Sequence, residues 1–223
     1  MRSSFAVVAA LGVVVAALGS VDPGPASAPR SEFVPPPAGS YRLQRIQVAT
    51  DGALLDESGH LRHLATLTRG KITLLTFFYT YCADPLGCPF AYVLLNELRS
   101  RVLARRDLAG QVRFVSVSID PGHDTPSAIA RYGEQVISDS RFEWHFLTAR
   151  SVVELRPILD GYGQDVSIQT DKTGKPTRTV HHMLKVFLID RQGMVREIYS
   201  LAYLQPEVMF NDLQTLILEH PAR

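Results

Sequence analysis

The sequence has little cysteine and no excess of charge of either sign. Cys82 and Cys88 are its only two cysteines among 223 residues, and 23 basic side chains almost balance 22 acidic ones. A chain of this length builds a stable core without disulfides, so no disulfide framework is required. The net charge of +1 gives no electrostatic reason for a strongly anionic partner, and no nucleic-acid partner is expected.

The N-terminus predicts export. Arg2 precedes an uncharged apolar run from Phe5 to Val21, which is followed by Ala26-Ser27-Ala28. This is the pattern of a signal peptide with an A-x-A cleavage site, although the run is long enough for an uncleaved anchor. Residues 1–28 are therefore predicted to be a signal peptide or an N-terminal membrane anchor, and proline-rich residues 29–40 a linker. Both alternatives place the domain in the periplasm or another extracytoplasmic compartment.

Residues 41–223 alternate between strand and helix patterns. Lys71–Tyr79 and Val112–Ile119 are apolar runs typical of strands buried on both faces, and Pro89–Arg106 between them has helical periodicity. The other predicted elements are strands at Tyr41–Ala49, Leu54–Leu55, Phe146–Leu147, Leu184–Ile189 and Met194–Tyr199, a hairpin over Gln169–Thr179, and helices opened by Thr125 and over Ser151–Gly161 and Pro206–Leu218. This order predicts an α/β, thioredoxin-like fold: a central mixed β-sheet flanked by helices, with an inserted β-hairpin.

Both cysteines lie in the loop between the first core strand and its helix. A helix N-terminus carries partial positive charge, which favours a thiolate, so Cys88 before Pro89 is predicted to be the reactive thiol. Pro85 and Gly87 allow the segment between the cysteines to turn, so the two sulfurs can meet. A redox-active pair of Cys82 and Cys88 is therefore preferred to a purely structural disulfide, which stays open as an alternative.

A third candidate ligand stands before a later strand. His181 and His182 directly precede Leu184–Ile189, and adjacent residues of an extended chain point to opposite faces, so one histidine can face the cysteine loop. Two thiolates and one imidazole suit copper, or zinc on ligand type alone. No proline lies between Pro176 and Asp190, where thioredoxin-like redox proteins carry a cis-proline beside the dithiol. This absence argues against a general oxidoreductase.

Four segments carry a resemblance to one known family. They are LLTFFYTYC ending at Cys82, CPF from Cys88, SIDPGHDTP over residues 118–126, and HMLKVFLID from His182. Together they resemble the Sco/SenC family of exported or membrane-tethered copper chaperones that serve cytochrome oxidase assembly. The resemblance covers about Leu54 to Leu218. The spacing Cys-x5-Cys is longer than the family's usual Cys-x3-Cys and is similar to that of a longer-spaced branch.

The resemblance implies a set of site residues and partners. It implies copper as the cofactor, held by Cys82, Cys88 and His182, with His181 facing away. Asp84 matches the aspartate that follows the family's first cysteine, whereas Asp120 and Asp124 are predicted to be turn and cap residues. The implied partners are a client metalloprotein, such as a cytochrome c oxidase subunit, and a thiol reductant; a membrane tether and a monomeric state are also expected.

The sequence leaves three functions open. The preferred one is a copper chaperone, which is a metallochaperone rather than an enzyme. The second is a thiol–disulfide oxidoreductase acting on client cysteines, which needs Cys82 and Cys88 but not His182. The third is an interaction or sensing domain with a structural disulfide. A peroxidase of the peroxiredoxin kind ranks last, because no Pro-x-x-x-Thr-x-x-Cys motif is present.

Overall fold

The computed structural model describes residues 34–219, whose strands and helices are built around one large β-sheet. The predicted signal peptide or anchor and the first residues of the predicted linker lie outside the described residues. The strands are β1 (Gln47–Val48), β2 (Ala53–Asp56), β3 (Leu61–His63), β4 (Ile72–Phe78), β5 (Val112–Ser118), β6 (Glu143–Thr148), β7 (Val166–Thr170), β8 (Pro176–His182), β9 (Lys185–Ile189) and β10 (Met194–Ser200). The helices are α1 (Leu64–Leu67), α2 (Cys88–Leu103), α3 (Pro126–Ile137), α4 (Val152–Gly161) and α5 (Pro206–Glu219). Between residues 34 and 219, no helix combines the length and apolar character needed to cross a membrane.

The large sheet is mixed. Its strand order within the described residues is β1-β10-β9-β4-β5-β6-β2-β3. β4 pairs in parallel with β5, and β5 with β6, whereas the other neighbours are antiparallel. Parallel neighbours need long crossover connections, which α2 and α3 provide. The predicted α/β fold with a central mixed sheet flanked by helices is confirmed.

The central strand β4 is covered on both faces. Phe77 packs edge-on against Tyr162 beside α4, while Phe78 stacks on Tyr132 of α3 with ring centroids 5.0 Å apart. Successive strand residues point to opposite faces, and these two phenylalanines are only 1% and 4% exposed. The run of apolar residues is continuous because β4 has no solvent-facing side, as the sequence predicts.

The predicted strand Tyr41–Ala49 is shorter in the structure, where only β1 pairs. The preceding residues are held by side chains instead of a β ladder. Tyr41 donates a hydrogen bond to Asp212 of α5. The backbone carbonyls of Leu43 and Gln44 accept hydrogen bonds from the buried Arg196 at 2.8 and 3.0 Å. The sequence pattern of an extended segment is the same whether its backbone bonds to another strand or to side chains.

The inserted hairpin is confirmed and forms a separate two-stranded sheet of β7 and β8. Its turn is built on Asp171, whose carboxylate accepts hydrogen bonds from the backbone N–H of Thr173 and Lys175 at 2.8 and 3.0 Å. Gly174 follows with a φ of +84°, a left-handed conformation that favours glycine. β8 ends at His182, so the hairpin carries the predicted histidine ligand.

Candidate metal centre

The cysteine loop starts from a fixed base at the carboxyl end of β4. Asp124 is fully buried, and its carboxylate accepts hydrogen bonds from the backbone N–H and hydroxyl of Thr80 at 3.1 and 2.6 Å and from the Ser118 hydroxyl at 2.7 Å. These contacts connect the ends of β4 and β5 just before Cys82. Asp124 therefore has a structural role, which agrees with the preferred interpretation of the sequence.

The segment between the cysteines closes in a tight turn. The backbone N–H of Gly87 donates to the carbonyl of Asp84 at 3.0 Å, and the N–H of Leu86 donates to the Asp84 carboxylate at 3.0 Å. Pro85 occupies the position of such a turn where proline is favoured. A Cβ added at Gly87 would lie 3.1 Å from the sulfur of Cys82, so glycine here allows the loop to approach the thiol closely.

Helix α2 begins at Cys88, with Pro89 in its first turn, one residue earlier than the sequence predicts. The two cysteines are free thiols. Cys82 is half-buried, whereas Cys88 is only 3% exposed, because it faces the core beneath the helix start. Both cysteines line one cavity beside the start of α2.

The thiol that the structure activates is Cys82. A hydrogen bond from the Cys88 side chain, helped by the Cys88 backbone N–H and the Tyr79 hydroxyl, lowers the pKa of Cys82 to about 5 although burial opposes this. The same hydrogen bond and burial raise the pKa of Cys88. These shifts favour Cys82 over Cys88 as the thiolate, whereas the helix N-terminus alone favours Cys88. The N-terminus of α2 still contributes, because the backbone N–H of Cys88 helps to lower the pKa of Cys82.

His182 lies beside the buried thiol. Its Nε2 is 3.7 Å from the sulfur of Cys88, and its ring packs edge-on against Tyr79 with centroids 5.9 Å apart. His181, one residue earlier on β8, is exposed. Burial lowers the pKa of His182, while the charge of Cys82, the Met183 backbone and the charge of Asp84 oppose that shift in part. The imidazole is thereby favoured in its neutral form, the form that binds metals.

The donor set fits a thiophilic metal ion. The structure places Cys88 and His182 in contact with Cys82 nearby, and two thiolates with one imidazole suit copper, or zinc on ligand type alone. The Nδ1 atom of His182 is buried and has no partner of hydrogen-bond geometry among the described residues. Within residues 34–219, no three side chains of His, Cys, Asp or Glu already form a metal-ready cluster.

Comparison with known proteins identifies the family. The SCO1/SenC family model matches residues 43–218. The chain belongs to the SCO1/SenC family. It is 29% identical over 157 residues to the mitochondrial SCO2 homolog of Bos taurus, matching 68% of this chain and 53% of that relative. The chain thus spans about half the length of this relative.

Solved structures show the same thioredoxin-like fold. ScoI of Bradyrhizobium japonicum, solved with copper bound, is 26% identical, with a TM-score of 0.60 over 75% of this chain and 98% of that one. BsSco is described as a member of the Sco family of cytochrome c oxidase assembly proteins, in a structure that identifies a disulfide switch. It is 20% identical, with a TM-score of 0.58 over 82% of this chain and 96% of that one, a level that shows the fold alone.

One residue that the sequence analysis did not single out links both sides of the site. The Tyr79 hydroxyl donates to the backbone carbonyl of Val180 at 3.2 Å, and its ring contacts His182. Burial raises the pKa of Tyr79, and the neighbouring Cys82 side chain adds to this shift. In the sequence, Tyr79 stands out only by lying directly after β4 and three residues before Cys82. That position does not indicate a contact with the distant β8.

Proposed function

We propose that this chain is an exported copper chaperone that binds one copper ion through Cys82, Cys88 and His182 and delivers it to a client metalloprotein outside the cytoplasm. The observation that carries the proposal is the 3.7 Å separation between the Cys88 sulfur and His182 Nε2, with Cys82 lining the same cavity as Cys88. Membership of the SCO1/SenC family and the copper-bound relative at 26% identity support copper as the cargo.

The three side chains have distinct tasks in this proposal. The Cys82 thiol is partly open to solvent and its low pKa favours the thiolate, so it is the ligand that meets incoming copper first. Cys88 loses its proton on metal binding, and His182 adds a neutral nitrogen ligand. Three ligands leave room for a client ligand to attack before the chaperone releases the ion. A disulfide between the cysteines removes two ligands and blocks binding.

The proposed client is a respiratory metalloprotein such as a cytochrome c oxidase subunit. The description of BsSco as a member of a family of cytochrome c oxidase assembly proteins supports this assignment. The predicted signal peptide or anchor over residues 1–28 supports export and a periplasmic or other extracytoplasmic location. A thiol reductant is required in that compartment, because only the reduced cysteines bind copper.

The matched pair of histidines gives the test. The reduced protein is titrated with Cu(II) under anaerobic conditions, and absorption spectra are recorded for the wild type, His182→Ala and His181→Ala. The wild type is expected to bind one equivalent with an intense thiolate charge-transfer band. His182→Ala should lose that band and most of the affinity, whereas His181→Ala should match the wild type, since His181 is exposed. Equal losses in both variants would contradict the proposed ligand set.

A thiol–disulfide oxidoreductase is the second candidate function. The difference between the two thiols favours this function, because a partly exposed, low-pKa Cys82 beside a buried Cys88 is the arrangement of an attacking and a resolving cysteine. The same variants distinguish the two functions. An oxidoreductase would reduce client disulfides equally well with His182→Ala, and its copper binding would be weak and independent of His182.

A further inference from the structure

A cavity of about 430 Å³ opens beside the two cysteines, between α2 and α3. Cys82 and Cys88 line one part of it, and the rings of Tyr92 and Tyr132, 5.5 Å apart, form an apolar wall. Sites for small ligands commonly have volumes of about 300–1,000 Å³, apolar walls and a few polar groups. The cavity adjoins the proposed copper site, because Cys82 and Cys88 line it, but His182 is not among its lining residues.

The other side of the cavity carries two opposite charges. Arg131 and Glu134 line it from α3, and both side chains are exposed. Residues three apart on a helix share a face. In the part of the chain that the structure describes, neither side chain forms an ion pair, whereas Arg150–Glu154 and Arg156–Asp160 pair at 2.9 and 3.2 Å. A cation and an anion therefore face the cavity, each available to a ligand.

We propose that this cavity binds a small zwitterionic thiol, such as cysteine or a short cysteinyl peptide, which reduces a disulfide between Cys82 and Cys88. The ligand's carboxylate would lie at Arg131, its ammonium group at Glu134 and its sulfur at Cys82. The inference rests on the proposed function, because copper binding requires both thiols to be reduced. It identifies the chemical class of the reductant that the chaperone needs.

The chemistry is a two-step exchange. The ligand thiolate attacks the sulfur of Cys82, which is the more exposed of the pair, and the Cys82–Cys88 bond breaks. Cys88 leaves as a thiolate and takes a proton from solvent, and Cys82 is joined to the ligand in a mixed disulfide. A second thiol molecule attacks the ligand sulfur and releases the Cys82 thiolate. Two thiols are thereby oxidised to one small-molecule disulfide, and the protein disulfide is reduced to two thiols.

The test uses four thiols that differ in charge. The oxidised protein is mixed with cysteine, cysteamine, 3-mercaptopropionate or 2-mercaptoethanol, and the appearance of free Cys82 and Cys88 is followed by alkylation and mass spectrometry. Each rate is divided by the rate at which the same thiol reduces a small disulfide. The proteins are the wild type, Arg131→Gln, Glu134→Gln and the control Arg45→Gln, an exposed arginine that does not line the cavity.

The expected pattern follows the charges. An exposed ion pair is worth up to about 1 kcal/mol, which corresponds to roughly fivefold in rate. Arg131→Gln should slow cysteine and 3-mercaptopropionate about three- to fivefold and leave 2-mercaptoethanol unchanged. Glu134→Gln should slow cysteine and cysteamine similarly, and Arg45→Gln should slow none. If a variant changed the reduction rates of all four thiols equally, or changed none of them, the proposal would be overturned. The reductant that uses this cavity would then be a protein.

A separate readout distinguishes this inference from the copper proposal. Arg131→Gln and Glu134→Gln, once fully reduced, should bind copper as the wild type does, because neither residue is a proposed ligand. If the wild type fails to bind copper, the chaperone function is wrong, and the thiol comparison still decides whether the cavity recognises a zwitterion. If copper binds but the thiols are not discriminated, only the reductant site is wrong.

Discussion

The two sides of the candidate copper site are held in different ways. The cysteine side stands on the main sheet: every residue of β4 is buried, and Asp124 fixes Thr80 just before the loop. The histidine side stands on the separate β7–β8 hairpin, where four of the five β7 residues are exposed. The hairpin is held near the site by the bond from Tyr79 to Val180 and by a bond from the Gln164 amide to the Met183 carbonyl at 3.0 Å.

This difference suggests which part of the site adjusts. Elements with few buried contacts open more easily than core strands, so the hairpin is the softer side. The thiols and His182 are close together without forming a metal-ready cluster in the described part of the chain. We therefore expect the cysteine side to stay in place while the hairpin closes on the ion and opens again to release it.

The largest effect is expected from removing the base of the cysteine side. Asp124→Ala leaves the Thr80 N–H and the hydroxyls of Thr80 and Ser118 without their acceptor in a buried place. We expect the free energy of unfolding to fall by about 2–4 kcal/mol, measured by urea denaturation. Asp160→Ala, at an exposed carboxylate whose one ion pair is to Arg156 on the surface of α4, is the control and should cost about 1 kcal/mol or less. Equal losses would show that Asp124 is not the support proposed here.

The second prediction concerns the two thiols. Because the pKa of Cys82 is about 5, its alkylation rate in the metal-free protein should rise through pH 5 and reach a plateau near neutral pH. At pH 6 far more of Cys82 than of an ordinary cysteine is thiolate, but a low-pKa thiolate is also a weaker nucleophile. Together these two effects should make Cys82 react roughly tenfold faster than an ordinary cysteine. Peptide mapping after iodoacetamide treatment measures each site separately. Faster labelling of Cys88 would contradict the assignment.

A smaller effect is expected from loosening the histidine side. Tyr79→Phe keeps the ring against His182 but removes the bond to the Val180 carbonyl. The hydroxyl also lowers the pKa of Cys82, so the Cys82 alkylation rate at pH 6 is measured beside the copper affinity to separate the two effects. Loss of one such hydrogen bond costs about 1 kcal/mol, so copper affinity should fall roughly fivefold if the hairpin must be held near the site. Tyr203→Phe, at an exposed tyrosine, should change nothing. An unaltered copper affinity in Tyr79→Phe would mean that the hairpin needs no such support.

The sequence predicted best where burial determines structure. The continuous apolar runs of β4 and β5 and the Thr125 cap, whose hydroxyl accepts a bond from the Ala128 N–H at 3.3 Å, are confirmed. The short polar β3 and the four-residue α1 were not predicted. Elements this short have no periodicity to detect, and they form because neighbouring strands and loops fix them.

The site was predictable as a set of residue types but not in its electrostatics. The order of strands brings the cysteine loop and His182 together, which a family resemblance captures. Which thiol is activated depends on a hydrogen bond between the two side chains and on the direction of one backbone N–H. The contact of Tyr79 with β8 likewise joins residues about a hundred positions apart. Neither arrangement has a local pattern in the sequence.

The most direct test of the account is amide hydrogen exchange of the reduced protein with and without one equivalent of copper, compared with His182→Ala. We predict that copper slows exchange in the β7–β8 hairpin of the wild type and leaves β4 and β5 unchanged. In His182→Ala, copper should give the hairpin no added protection. Equal protection of the hairpin in both proteins, or protection confined to the cysteine loop, would contradict closure of the hairpin on the ion through His182.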